Sequence, residues 1–415
     1  MALRHSGMLE VNEFLVLDYI RERAATTRPE VARALGLSDS SVSRIVARLL
    51  KSGTVVESPG RAVGAGRPRG TIAFNHRAGA VIAIDLDGVE CHGELADLAG
   101  SPLEQDVRPS RGRGGAFAAL EGSIGALRAE ATRRDLQVEA VAIGIPAVLD
   151  PDTGVAIGGP AVDWEGFEIV NRLKESLNVP FLVENDANLA ALAHAWRGQA
   201  RGQRDFVTLV LGAGIGAAVV SNGRLVKGRH NAAGELGFLV TGREQLRALR
   251  RGRPDAPGGR LGGYGGLETV AAGPSIVARA QALASRTGSS RASGPVTADR
   301  VFAAARDADP VALEVVEEVL DYTALAVIAV AVVADPALVI FDGSVGRALE
   351  PFLDELAARL EGPLLFAPEL SVSKLGPNAT VVGAVAAALQ LTRERSAPSA
   401  LFGEFAVSGR ADQDA

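Results

Sequence analysis

The sequence predicts an α/β protein made of a short helical head and a long α/β body, and three observations carry that prediction. Apolar strand-like runs at 80–86, 140–145, 181–183, 206–211 and 337–341 alternate with helix-length segments over most of the chain. A strand–Gly-turn–strand unit occurs twice, at 80–98 and again at 206–221, which implies an internally duplicated body with a cleft between its lobes. Residues 1–77 hold 12 Lys/Arg against 7 Asp/Glu in a chain whose net charge is −6, so a basic head sits on an acidic body and only the head suits a polyanion.

The 415 residues suffice for two or three domains with a true core. Aromatic residues are only 4%, so that core must be aliphatic, and 48 glycines are too many for a helical bundle. Cys91 is the single cysteine, which excludes an intramolecular disulfide and a multi-thiolate metal site. The first ten residues lack a secretory signature, and the longest apolar run, 323–334, falls short of the ~20 residues of a membrane span. A cytoplasmic protein without membrane contact is expected.

In the head, Phe14, Leu17, Ile20 and Ala24 share one face of a helix over 11–24. Thr27-Arg-Pro-Glu30 reads as a capping box with proline in the first turn, opening a helix over 29–35 that stops at Gly36. Ser38-Asp-Ser-Ser41 starts a third helix with Val42, Ile45, Val46 and Leu49 inward and Ser40, Ser41, Ser43, Arg44 and Arg48 outward. Two short helices across Leu35-Gly-Leu-Ser38 have the length of a helix-turn-helix. Strands at 54–58 and 71–74 around the basic loop 59–69 add a wing, where Arg67 and Arg69 flank a proline and suit a narrow minor groove. The head, residues 1–77, is thus expected to bind double-stranded DNA, with the third helix in the major groove. The alternative is a small interaction domain with a solvated charged face.

In the body, residues 78–395, Phe181-Leu-Val-Glu-Asn-Asp-Ala-Asn188 runs from a strand into an Ala/Leu-rich helix over 189–196. Asn185 and Asp186 either cap that helix or face a ligand at the strand end, and the segment alone leaves both open. A helix over 315–334 and a small-residue helix over 383–389 follow, and the polar tail 396–415 is expected to be disordered.

The motifs Ile143-Gly-Ile-Pro146, Val183-Glu-Asn-Asp-Ala-Asn188, Leu211-Gly-Ala-Gly-Ile-Gly216, Ala233-Gly-Glu-Leu-Gly237, Gly265-Gly-Leu-Glu268 and Asp335-Pro336 run in that order over roughly 300 residues. Together the body resembles the ROK family, which groups sugar-responsive repressors with bacterial sugar kinases on an actin/hexokinase-like fold. The head followed by Gly66-Arg-Pro68 resembles its repressor branch.

The resemblance implies three constellations. The kinases carry Asp-x-Gly-Gly-Thr-Lys after the first strand, where this chain has Asp85-Leu-Asp-Gly-Val-Glu90, and Ala213 stands for a usual Thr in the second loop. Two added carboxylates would repel a triphosphate, so ATP binding and catalysis are expected to be lost, with only Asp342-Gly343 left near an adenosine position. The family's zinc ligands, one His and three Cys, match Phe238, Gly259, Leu261 and Gly266 here, so neither zinc nor any other cofactor is expected. The glycines at 258–266 and the Arg-rich run 243–253 read as a solvated loop. For sugar recognition the resemblance implies Asn185, Asp186, Glu235 and Glu268, with Phe238 replacing a His. In a kinase Asp186 would be the general base; without a phosphate site it accepts hydrogen bonds only.

The expected protein is therefore a non-enzymatic transcriptional regulator of carbohydrate genes, a repressor modulated by a sugar effector and acting as a homodimer or homotetramer. Two rivals are a DNA-binding protein whose body serves only assembly, and an ATP-dependent sugar kinase with an appended head.

Overall fold

A computed structural model describes residues 5–59, 70–111, 115–157, 164, 166–250, 265–287 and 296–396. Arg67, Arg69, Gly259, Leu261 and residues 397–415 lie outside the described residues, and Ser396, expected to open a disordered tail, instead ends the last helix.

The head comprises α1 (His5–Arg21), α2 (Arg28–Leu35), α3 (Asp39–Lys51), β1 (Val55–Ser58) and β2 (Thr71–Phe74). Glu30 accepts from the Thr27 backbone N–H at 2.9 Å, and Gly36 ends α2 at φ 65°, a left-handed position that glycine takes without strain. Ser38 caps α3 by accepting from the Ser41 backbone N–H. Val16, Ile20, Val31, Val42, Ile45, Val46 and Ile72 are buried together as the head's core. Helix α1 ends at Arg21 rather than Ala24 because the chain turns extended there. Thr26 exchanges two backbone hydrogen bonds with Ile72, at 2.9 and 2.8 Å, which a helix could not make. Strands β1 and β2 pair antiparallel from Val55↔Phe74 to Ser58↔Thr71, completing the stem of a wing.

The first lobe contains β3 (Ala80–Leu86), β4 (Glu90–Asp97), β5 (Pro102–Pro109), α4 (Gly115–Arg133), β6 (Val138–Ile145), the short pair β7 (Val148–Leu149) and β8 (Ala156–Ile157), α5 (Ile169–Ser176) and β9 (Phe181–Asn185). Its sheet runs β5-β4-β3-β6-β9. Strand β3 reads as an apolar run from Ala80 to Ile84 because both its faces are covered. Ala80, Ile82 and Ile84 meet Leu120 and Leu127 of α4 in one core, while Val81 and Ala83 join Ala384 and Val385 of the last helix in another.

Helix α6 (Asp186–Arg197) leads into the second lobe: β10 (Phe206–Leu211), β11 (Ile215–Ser221), β12 (Arg224–Leu225), α7 (Arg243–Arg250), α8 (Glu268–Ala271), α9 (Gly273–Thr287), α10 (Ala298–Arg306), α11 (Pro310–Ala334), β13 (Leu338–Asp342), α12 (Gly343–Ala348), α13 (Leu353–Leu360) and β14 (Glu369–Val372). Its sheet runs β12-β11-β10-β13-β14. Each sheet is an antiparallel three-strand meander continued by two parallel strands, so the duplication seen in the sequence is a duplication of topology. The final helix, α14 (Ala379–Ser396), returns to the first lobe and packs against α6. A Cβ at Gly383 would collide with the Leu189 carbonyl, which is why that contact needs a residue without a side chain.

One expectation is corrected. Residues 243–250 form a helix rather than a solvated loop. Arg-Glu-Gln-Leu-Arg-Ala-Leu-Arg consists of strong helix formers. Gln245 also ties the turn down, accepting from the Thr241 N–H at 2.9 Å and donating to the Gly266 carbonyl at 2.9 Å.

Candidate functional site: a carboxylate cluster and an exposed Ser/Arg helix face

The cleft site begins where β9 gives way to α6. Asn185 caps α6, its side-chain oxygen accepting from the backbone N–H groups of Ala187 at 3.0 Å and Asn188 at 3.3 Å. Its amide nitrogen makes only a long 3.5 Å contact with the Ala147 carbonyl. The Asn185 side-chain oxygen is therefore used as a helix cap. Asp186, the first helical residue, accepts from the Ala187 N–H at 2.8 Å.

Around Asp186 gather carboxylates from separate segments. Burial pushes the Asp186 carboxyl up to about 6 despite the backbone N–H groups that favour its charge, and the negative Asp87 adds to the rise. Burial likewise raises Glu235 to about 7, with further repulsion from Asp186 and Glu268. Asp85, at the end of β3, is raised well above the ordinary carboxylate range by burial and by Asp186 and Asp87. Glu268 is tied down. One oxygen accepts from the Ile215 N–H at 2.8 Å and the other from the Gly265 N–H at 2.7 Å, stapling the Gly212–Gly216 turn to the start of α8. A Cβ at Gly237 would come within 2.9 Å of the Glu268 carboxyl carbon, so that glycine makes room for it. Phe238 lies one residue on and is half exposed, at 53%.

The turn after β3 is closed on itself. One Asp87 oxygen accepts from the N–H groups of Val89 and Glu90, both at 2.7 Å, so these amides point at a carboxylate of their own chain. Beyond the cleft, Asp342 is buried, accepts from Gly343 N–H at 2.7 Å and contacts Arg347 at 3.3 Å.

Sequence reasoning missed a second network behind Asp186. Glu184 of β9 is only 7% exposed. It receives the Lys227 ammonium at 2.5 Å, the Asn188 amide at 2.9 Å and the Asn185 N–H at 3.0 Å. The signal in the sequence was a charged residue ending an apolar strand; nothing local named Lys227 as its partner.

In the head, Ser40, Ser43, Arg44 and Arg48 form an exposed stripe along α3 and Ser41 is half buried. Ser41 and Ser40 both lie within hydrogen-bond distance of the Ser38 hydroxyl, at 2.9 and 3.1 Å. Arg48 pairs with Glu13 of α1 at 2.6 Å. Among the described residues no group of His, Cys, Asp and Glu is arranged to hold a metal ion, and no helix is long and apolar enough to cross a membrane.

Comparison with known proteins agrees with this architecture. The ROK family model matches residues 81–391 and a MarR family model matches residues 9–62. A xylose repressor of Caldicellulosiruptor bescii is 23% identical over 395 residues, 92% of this chain and 96% of that protein. A glucokinase of Halalkalibacterium halodurans is 29% identical over 253 residues, 59% of this chain and 74% of its own. The crystal structure of a ROK family transcriptional regulator, a homolog of the Escherichia coli MLC protein, superposes with a TM-score of 0.76 at 21% identity, covering 94% of this chain and 97% of that one. With a duplicated α/β body matched over nearly all its length and a winged helix-turn-helix at its head, the chain belongs to the ROK family.

Proposed function

We propose that this chain is a DNA-binding transcriptional regulator, a repressor of carbohydrate-metabolism genes, whose hold on its operator is set by a sugar or sugar derivative in the cleft. The carrying observation is the union on one chain of an exposed Ser/Arg face on α3 and a cleft that gathers Asp186, Glu235 and Glu268. Ser40, Ser41, Ser43 and Arg44 meet bases and phosphates, joined by Arg48 and by the wing arginines Arg67 and Arg69. Asp186 and Glu235 accept from vicinal hydroxyls, the Asn185 amide donates, and Glu268 holds the turn beside them while its remaining lone pairs face the ligand. Two recognition helices match two half-sites, so the working unit is a homodimer in the cytoplasm, where the operator lies. The similarity to a xylose repressor over both head and body supports this reading, because the glucokinase match covers a smaller share of the chain.

The chain does not phosphorylate its ligand. A phosphate-binding turn needs free backbone N–H groups, and Asp87 takes those of Val89 and Glu90. Asp186 then has no transfer to assist and serves as a sensor.

Sugar binding changes DNA affinity only if it favours one lobe or subunit arrangement over another. The test is selection of genomic fragments retained by the purified protein, repeated with a sugar panel and paired with calorimetry. A specific operator whose retention changes with one sugar supports the proposal. Operator binding that no sugar alters, with no calorimetric heat, favours a body used for assembly alone. One observation leans that way: Asn185 and Glu268 already hold structural hydrogen bonds.

A further inference from the structure

Behind the carboxylates of the cleft lies a connection between the lobes that sugar recognition by itself does not require. Glu184 belongs to β9, an outer strand of the first sheet, and Lys227 lies two residues past β12, an outer strand of the second. Their 2.5 Å ion pair is the first of the contacts that the segment after β12 makes with the first lobe. Asn231 donates to the Leu149 carbonyl of β7 at 3.0 Å, and Arg229 lies 3.6 Å from Asp152. The segment then returns to its own sheet at Gly234, whose carbonyl accepts from the Ala217 N–H at 2.9 Å. Gly234 has φ 93°, and a Cβ there would strike the Ala217 carbonyl, so this return admits only glycine. The next residue is Glu235, close enough to Asp186 for the two carboxyls to repel.

These contacts differ in weight. Arg229 and Asp152 are both largely exposed, a pairing worth little in water. Glu184 is buried and carries two further donors, Asn188 and the Asn185 N–H, so its pairing with Lys227 is the one with consequence. Those donors lie on either side of Asp186 in sequence. The same carboxylate therefore holds both the start of α6 and, through Lys227, the segment leading to Glu235.

We infer that Glu184 and Lys227 are positioning residues for ligand binding: their ion pair clasps the two lobes and sets Glu235 at the spacing from Asp186 that a bridging ligand needs. The inference rests on the proposed sugar site. Without the clasp, the Glu235 segment stays folded on Gly234 but loses its anchor on the first lobe. A ligand must then close the lobes at its own expense, and affinity falls. The same loss uncouples the ligand from the head, since no fixed lobe arrangement remains for it to select.

The experiment uses full-length protein with D-glucose, D-xylose and their amino and acetamido derivatives as probes. Lys227→Met, Lys227→Arg and Glu184→Gln are compared with wild type by calorimetry, by DNA binding with and without the best sugar, and by thermal melting. The expected result is a tenfold or greater loss of sugar affinity in Lys227→Met and Glu184→Gln, with sugar-free DNA affinity within about twofold of wild type. Lys227→Arg, which keeps the charge, restores most of it; a merely structural contribution would show in melting temperature and sugar-free DNA binding instead. Wild-type sugar affinity and DNA response in Lys227→Met overturn the inference while leaving the sugar site intact. If wild type binds none of the probes, the sugar site fails and this inference fails with it.

Discussion

The imidazole of His194 lies 2.8 Å from the carboxylate of Asp342, in a contact shut away from water on both sides. His194 is on α6, two turns beyond Asp186, and Asp342 ends β13 in the second lobe, so the helix that carries the candidate site is bolted to both halves of the body. The other His194 nitrogen lies 3.2 Å from Gln199, which donates in turn to the Val372 carbonyl at the sheet edge. Without His194 the Asp342 carboxylate keeps the Gly343 N–H and Arg347 but loses a buried hydrogen bond, at a cost of roughly 1–3 kcal/mol. His194→Ala should therefore shift the urea midpoint sharply downward. Because each single change already breaks the contact, the His194→Ala/Asp342→Ala double variant should cost less than the two effects added. Full additivity in the cycle would show that the pair does not act as one unit.

The cleft carboxylates predict opposite pH trends for binding and for stability. Sugar hydroxyls donate to carboxylates, so the ligand favours the ionised forms of Asp186, raised by burial to about 6, and of Glu235, raised by burial to about 7. Sugar affinity should rise with pH through that range and level off above it. Folding stability should fall over the same window. The native carboxyls hold protons more tightly than the unfolded ones, so from the ordinary carboxylate range up to about 7 the unfolded state binds fewer protons and the unfolding free energy declines as pH increases. Glu235→Gln removes that penalty. It should melt above wild type near pH 8, by on the order of 1–3 kcal/mol, and match it near pH 4. A glutamine variant that melts below wild type at pH 8 would contradict the assignment.

The turn after β3 predicts how nucleotide should behave. Asp87 neutralises the partial positive charge of two amides, so Asp87→Gly frees them but loses about 1–2 kcal/mol of turn stability. On the proposed reading, freed amides alone do not make a triphosphate site, because Glu90 keeps a second carboxylate in the same turn. Equilibrium dialysis with labelled ATP should find no retention by wild type or by Asp87→Gly. Retention by wild type, with sugar phosphorylation that Asp186→Asn abolishes, would return the chain to the kinases.

These tests divide between what was legible in the sequence and what was not. The head was legible because its signals are local: Glu30 reaches back three residues, Ser38 forward three, and Gly36 stops α2 by its own φ. The central strands were legible because strands buried on both faces must be largely apolar, as β3 is from Ala80 to Ile84. The links that hold α6 were not. His194 and Asp342 are 148 residues apart and Glu184 and Lys227 are 43 apart, and neither pair has a spacing rule that would join them. Asn185 shows the boundary within one residue. Its residue type allowed both a cap and a ligand contact, and only the approach of the Ala187 and Asn188 amides decided how its oxygen is used. Helix α7 departs from the loop expected for its arginines because eight residues of strong helix propensity prevail over the glycines that follow.

On the DNA side, the two arginines of α3 should behave differently. Arg44 has an exposed guanidinium, with no ion pair to a described residue, and projects from the stripe that also carries Ser40 and Ser43. Arg48 on the next turn is engaged with Glu13 at 2.6 Å. That pair is largely exposed, at 49% and 37%, and exposed pairs contribute roughly 0–1 kcal/mol, so a DNA phosphate can take Arg48 over at small cost. Arg44→Ala should weaken binding to every sequence and reduce the slope of log affinity against log salt by about 1. Arg48→Ala should do the same more mildly, since wild type must first give up the Glu13 contact. Glu13→Gln should then strengthen DNA binding, because it releases Arg48 and removes a negative charge that faces the same surface. Fluorescence anisotropy on one duplex at several salt concentrations separates these outcomes. Weaker binding by Glu13→Gln would mean that Glu13 holds Arg48 in its DNA-binding pose instead of competing for it.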